Sequence, residues 1–354
     1  MLENQSSHSQ EENQAGKQGK VPITEYAIEK LDLCKNIPSD WQENFLEEHL
    51  VVTCNKCEGE FTTEVDTTSQ NCPICDNNIE SVAHSRKLIK PGSLLPFKIN
   101  NETAKKRYTS WLKGLWLAPN SLKRKAKLEM PISAVYIPYW TYDAETVTNY
   151  KGQRGKYYYT TSRHTRTNSD GKRETYTKRH QHTRWHPASG KIANSFDDVL
   201  VLASSSLPRD IANKLEPWDL ENLVPYQDEY LLGVKAQSYQ YDLKEGFKWA
   251  KMKIKEELRT KIEEDMGGDT QRIAYINTEY SNIYFKHLLL PVWLSSYRYK
   301  DKIYRFLINA RTGEVQGERP YSKVKMVLLQ ILGGVCVIGG VIVFELVREK
   351  LGFR

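Results

Sequence analysis

The chain of 354 residues is long enough for one sizeable core and a small additional module. Hydrophobic residues make up 39% of it and aromatic residues 11%, which excludes a chain that is disordered throughout. The formal net charge of +7 is modest for this length but is unevenly distributed, so local charge is more informative than the total.

The N-terminal segment has the composition of a tail. Residues 1–20 are rich in Gln, Asn, Ser and Glu and contain few apolar side chains, which predicts disorder. They also lack the apolar run of a secretory signal peptide, so we expect no export from this end. Residues 21–50 form a leader segment before the first motif.

Two cysteine pairs follow, Cys54-Asn-Lys-Cys57 and Cys72-Pro-Ile-Cys75. Two tight turns that each present two thiolates complete the tetrahedral shell that Zn²⁺ prefers, and four sulfurs leave no open position for catalysis. The spacing therefore predicts a structural zinc ribbon over residues 51–85, with short strands at 60–65 and 78–82. A four-sulfur iron site and two redox pairs are the alternatives, and Cys34 is interpreted as a lone thiol.

A ribbon of this kind leaves the function open. It can bind nucleic acid, bind a partner protein, or brace a small domain. Reduced thiols in a chain without an export signal predict a cytoplasmic location for the ribbon.

The pattern of residues 86–322 predicts an α+β body, that is, a mixture of helices and strands with an antiparallel sheet. Apolar side chains recur at helical spacing over 102–116 and 243–266, each preceded by a capping residue. Runs of β-branched and aromatic residues predict strands at 134–142, 198–203, 272–277, 288–298 and 304–309.

A basic hairpin is predicted at 151–191, with a turn at Asp170-Gly171. The segment has eleven Lys or Arg against two acids, and aromatic residues are interleaved with them. This composition suits a nucleic acid, anionic lipid headgroups, or a solvated strand pair protected by charge. His180, His182 and His186 share one strand face but lack a carboxylate for a metal site. The predicted basic patch comprises Arg154, Lys156, Arg163, Arg166, Lys178, Arg179 and Arg184.

Residues 326–344 carry no charge and would span about 28 Å as a helix. This pattern predicts a C-terminal transmembrane helix at 323–347, a short tail at 348–354, and a single-pass protein of the cell membrane whose body faces the cytoplasm. Gly333, Cys336 and Gly340 would lie on one helix face and allow a second helix to approach, although glycine is also common in membrane helices.

The sequence contains no P-loop, nucleophile elbow, HExxH motif or dinucleotide fingerprint. Asp197 with Asp198, and Asp265 with Asp269, are carboxylate pairs that could bind a metal or transfer protons. We interpret the second pair as the end of the 243–266 helix. The prediction is a protein that is not an enzyme.

Several segments between residues 50 and 325 resemble a family of bacterial zinc-ribbon (TFIIB-type) single-pass membrane proteins, often labelled primosomal protein N′ or superfamily II helicase. The resemblance implies relatedness to zinc-ribbon membrane anchors of envelope-stress operons of the phage-shock type. The helicase label is not carried over, because the chain has no ATPase motor. The matching segments are 95–97, 111–116 with 118–119, 139–143, 150–155, 183–185, 196–198, 215–220, 267–273, 285–287 and 317–322.

Together these observations predict a membrane-anchored cytoplasmic scaffold that recruits partner proteins to the membrane, in contact with the bilayer and with anionic lipids. The alternative is a nucleic-acid-associated zinc-ribbon protein.

Overall fold

The computed structural model describes residues 46–63, 67–75, 77–125, 132–167, 170–299 and 302–331, and antiparallel strands dominate them. The strands are β1 (Leu46–Thr53), β2 (Glu60–Thr63), β3 (Thr67–Asn71), β4 (Asn78–Val82), β5 (His84–Ile89), β6 (Ser93–Leu94), β7 (Ser133–Thr167), β8 (Arg173–Leu202), β9 (Val224–Pro225), β10 (Lys235–Ala236), β11 (Thr270–Tyr299), β12 (Lys302–Asn309) and β13 (Val315–Gly317). The helices are α1 (Asn101–Gly114), α2 (Asn120–Lys125), α3 (Arg209–Asn213) and α4 (Leu243–Met266).

Three very long strands form the centre of the large sheet. β7 pairs with β8 from Tyr139↔Leu202 to Thr167↔Arg173 and with β11 from Ser133↔Leu294 to Gly155↔Thr270. The sheet continues from β11 to β12 and β13, while β10 lies parallel to the start of β7. The predicted strands 134–142, 272–277 and 288–298 lie within β7 and β11 and are far shorter than them, whereas 198–203 ends one residue past β8 and 304–309 covers most of β12.

Both faces of the sheet are covered near the start of β7, where successive side chains point to opposite sides. Trp140 and Tyr142 pack with Phe247 and Ile254 of α4 on one face. Ile137 and Tyr139 belong to the core of the other face, which includes residues of α3 and of the two cysteine knuckles.

The two long helices match the helical patterns in the sequence. α4 begins with a capping box between Asp242 and Glu245 and ends at Gly267, whose φ of 63° suits glycine. α1 begins at Asn100, whose side chain accepts a hydrogen bond from Thr103 N at 2.9 Å. These two predictions are confirmed.

The predicted fold class requires correction. The described part of the body is mostly antiparallel sheet rather than the predicted mixed α/β body that includes one, because β7, β8 and β11 continue well past the apolar runs that predicted them.

The predicted transmembrane helix, and with it the single-pass placement in the cell membrane, is also contradicted. Within the described residues, no helix has both the length and the apolar character needed to cross a bilayer. Residues 323–331 are helical. The remainder of the predicted span, including Gly333, Cys336 and Gly340, lies outside the described residues, as does Cys34.

Candidate metal centre and cationic arm

The first cysteine knuckle is built by the turn that joins β1 to β2. Cys54 N donates to Gly59 O at 2.9 Å, and Glu58 N donates to Cys54 O at 2.8 Å, which closes the turn around Cys57. Gly59 sits where a Cβ atom would lie 2.9 Å from Ile74 Cδ1. A side chain at this position would therefore crowd the tip of Ile74 and the ring of Phe61, which pack between the knuckles and the sheet.

The second knuckle brings its two sulfurs close to the two sulfurs of the first. Cys72 N donates to Asn77 O at 2.8 Å in the turn between β3 and β4. All four Sγ atoms lie within 4.8 Å of one another, with Cys54 to Cys75 at 3.6 Å and Cys57 to Cys72 at 3.5 Å. Tetrahedral Zn–S bonds of about 2.3 Å place sulfurs about 3.8 Å apart, so the cluster has the spacing of a four-thiolate metal site.

The sulfurs are shielded and hydrogen-bonded. Cys54, Cys72 and Cys75 are at most 3% exposed, and all four cysteines are free thiols. A hydrogen bond from Cys57, helped by backbone N–H groups of Cys75 and Ile74, lowers the pKa of Cys72 to about 5. Burial raises the pKa of Cys75 to about 11. The four cysteines could therefore hold a metal ion, whose positive charge would offset the cost of burying negatively charged thiolates.

The knuckles are fused to the large sheet rather than tethered beside it. Ser238 N donates to Glu60 O at 2.9 Å, and Phe61 forms a β-bridge with Gln237 next to β10. Lys235 Nζ donates to Asn71 O at 3.1 Å. Phe61, Ile74 and Ile79 belong to the same buried cluster as residues of β7, β8 and β11. No sequence pattern indicated this contact.

The basic hairpin is the distal part of β7 and β8. Beyond Gly155 it has two strands, with Lys156–Thr167 paired with Arg173–Arg184. We call residues 156–184 the cationic arm. Asp269 marks its base, because Asp269 N donates to Gly155 O at 2.9 Å and Asp269 Oδ2 accepts from Tyr157 N at 2.7 Å.

The structure distributes the predicted basic patch along this hairpin. The register of the two strands places the even-numbered residues on one face and the odd-numbered residues on the other. Arg154 lies just before the arm. The even face carries Lys156, Arg166, Lys178 and Arg184, and the odd face carries Arg163 and Arg179.

The histidines share the even face but do not converge. His180 Nε2 lies 2.9 Å from Ser162 Oγ, and His182 Nε2 lies 2.8 Å from Thr160 Oγ1. His186 is paired with Arg154 at the base. The ring nitrogens of His180 and His182 are thus directed to separate hydroxyl groups, as expected for a polar strand surface.

The aspartates have structural partners. Lys286 Nζ contacts Asp198 Oδ1 at 3.2 Å, and Asp143 Oδ1 accepts from Asp198 N at 2.7 Å. Burial raises the pKa of Asp143, a residue that the sequence did not single out. Asp265 accepts a hydrogen bond from Tyr150, which joins the end of α4 to β7. These carboxylates brace the sheet, and Asp269 fixes the base of the arm.

Comparison with known proteins adds one relative. No protein-family model matches the chain, and no solved structure matches it. The chain is 27% identical over 249 residues to the "Uncharacterized protein YdjG" of Bacillus subtilis (strain 168), a match that covers 67% of this chain and 66% of that protein. The relative's name assigns no activity, so the similarity brings no function to this chain.

Proposed function

We propose that the chain is a binding protein whose fold is completed by Zn²⁺ and which serves as a scaffold or adaptor by presenting the cationic arm to an anionic partner. The observation that carries this proposal is the arm itself. Residues 156–184 contain eight Lys or Arg against two acids, a net +6 within a chain of +7. Most of the described arm residues are exposed.

The choice of zinc rests on the donor set. Four thiolates without a nitrogen or oxygen ligand suit Zn²⁺ in a closed structural site, and an iron centre with the same ligands is the competing assignment. The buried position of three of the four sulfurs also favours a structural ion, since substrate has no open approach to it.

Metal content distinguishes the assignments. Purified full-length protein should contain one zinc per chain, measured by inductively coupled plasma mass spectrometry. Cys72→Ser should lose the metal, whereas the matched control Cys34→Ser, which belongs to neither Cys-x-x-Cys pair, should retain it. Iron with visible absorption, or no metal in the wild-type protein, would contradict the zinc assignment.

The arm is tested by its charge. The triple variant Arg163→Gln, Lys178→Gln, Arg179→Gln should elute from a heparin column at clearly lower salt than the wild type. The control Lys244→Gln, Lys248→Gln, Lys255→Gln removes three charges from exposed positions of α4 and should elute near the wild type. If the two triple variants elute together, the arm is not the binding surface.

A further inference from the structure

The cationic arm projects as a two-stranded ribbon of defined length. Twelve residue pairs, from Lys156↔Arg184 to Thr167↔Arg173, lie beyond the last pair of β7 with β11. At about 3.3 Å per residue the ribbon extends roughly 36 Å. That length is close to one turn of B-form DNA, about 34–36 Å.

Positive charge lies on both faces of the ribbon. Lys156, Lys178 and Arg184 belong to the even face. Arg163, Arg173 and Arg179 belong to the odd face. A ribbon with cations on both sides is matched to a groove with a phosphate backbone on either wall. The major groove of B-form DNA, about 12 Å wide, admits a two-stranded ribbon.

Two tyrosine rings of the arm have neighbouring side chains against them, but Tyr158 and Tyr159 remain 41% and 46% exposed. Tyr158 stacks with His182 at 5.2 Å between centroids, and the Arg184 guanidinium lies 5.2 Å from the Tyr158 ring. Arg179 lies 3.5 Å from the ring of Tyr159. Bases of a single strand can stack on exposed aromatic rings of this kind, so a single strand is the competing ligand. The length of the ribbon and the cations on both of its faces are therefore the observations that favour a duplex.

The same contacts favour phosphate as the ligand group. A guanidinium that lies over an aromatic ring keeps its N–H edge available and loses less conformational freedom when it binds an anion in a bidentate manner. Near the tip, the Arg166 guanidinium lies 5.5 Å from the Tyr176 ring centroid, but its Nη2 already donates to Glu174 Oε2 at 2.8 Å, so Arg166 is not counted among the phosphate contacts.

We propose that the cationic arm binds double-stranded nucleic acid by lying along a groove and contacting phosphates of both strands. This inference rests on the proposed function, in which the arm is the binding surface, and it specifies the partner. Because the contacts are made to the backbone, the affinity should depend weakly on base sequence and strongly on salt.

The test measures fluorescence anisotropy of the zinc-loaded full-length protein with a labelled DNA duplex of about 25 base pairs and with one strand of that duplex. Five to seven phosphate contacts predict a slope of log K against log salt of about −4.5 to −6, near −0.9 per contact. Removing Arg163, Lys178 and Arg179 together should reduce the slope by about 2.7 and weaken binding at least tenfold at about 0.1 M salt. The α4 control variant should match the wild type.

Three results would overturn the duplex assignment: tighter binding of the single strand, an unchanged slope in the arm variant, or equal losses in both triple variants. The failure would be distinguishable from failure of the proposed function. If polyglutamate or vesicles containing phosphatidylglycerol bind in an arm-dependent way while the duplex does not, the arm remains a binding surface and nucleic acid is the wrong partner. Circular dichroism and zinc content establish that each variant is folded.

Discussion

At the scale of single residues, a glycine in α4 records how tightly that helix packs on the sheet. An ideal Cβ atom at Gly246 would lie 2.8 Å from Trp140 Cδ1 and would also collide with the hydroxyl of Tyr142. Glycine inside a helix normally costs about 1 kcal/mol relative to alanine. Here the missing methyl group is what allows the two aromatic side chains to reach the helix.

We therefore expect Gly246→Ala to destabilise the protein by about 1–3 kcal/mol, because the added methyl group overpacks the core. Gly114→Ala is the matched control, since no atom lies within 4 Å of its Cβ position at the end of α1. It should leave the free energy of unfolding unchanged or raise it by up to about 1 kcal/mol. Urea denaturation of both variants measures the difference, and a stabilised Gly246→Ala would contradict the packing described here.

A second residue, His287, makes the stability of the fold depend on pH. His287 is buried between the rings of Trp140 and Tyr239, and its Nδ1 lies 2.8 Å from Ile89 O. Burial lowers the pKa of His287 to about 4. The unfolded chain, with a histidine pKa near 6.5, binds more protons between these values, so stability falls as the pH decreases from about 6.5 to about 4.

Wild-type protein should thus lose about 1 kcal/mol through this group between about pH 7.5 and pH 5.5. His287→Phe keeps the ring but removes the titration, and it should show a smaller loss over the same interval even if its stability at neutral pH is lower. Denaturation at both pH values, with zinc content checked at each, measures the difference. Parallel losses in the two proteins would show that His287 is not the responsible group.

At the scale of elements, the cysteine knuckles and the large sheet depend on each other for stability. The cysteine knuckles share a buried cluster with β7, β8 and β11. Structural zinc contributes about 10–16 kcal/mol of binding free energy in small domains, which is comparable to the total stability of an ordinary domain. Removing a bound metal ion should therefore destabilise the large sheet as well as the cysteine knuckles.

Hydrogen exchange with and without a chelator tests this coupling. Chelation should remove protection from peptides that cover 133–142 and 235–240, next to the knuckles. Peptides that cover α1 serve as the internal control, because Tyr108 and Leu112 pack in a separate cluster. If protection is lost only from residues 46–89, the cysteine knuckles and their strands form a module that is independent of the large sheet.

The sequence predicted the elements with local signals and missed those without them. The capping residues Asp242 and Asn100 marked the starts of α4 and α1, and the paired cysteines converge as their spacing required. The length of β7 had no such signal, since its distal half buries little apolar surface and is held by backbone pairing and by polar and aromatic side-chain contacts across the hairpin. Long-range contacts such as Phe61 with Gln237 depend on the assembled fold and have no pattern in the sequence.

At the scale of the whole molecule, charge and core lie at opposite ends of the same strands. The start of β7 and the end of β8 pack between α4 and the cysteine knuckles. The opposite ends of these two strands form the cationic arm. Excluding residues 156–184, the chain carries a net charge of only +1. The predicted charge asymmetry is therefore concentrated in one projecting element, and substitutions there should alter binding without disturbing the core.

The bridge between Phe61 and Gln237 has one more consequence. β10 stands at one end of the strand order in the large sheet, and the knuckle strand β2 lies beside it. Uncovered strand borders recruit identical chains through their unpaired amides and carbonyls. If the four cysteines hold zinc as proposed, zinc starvation should uncover the edge of β10 and make the protein prone to aggregate.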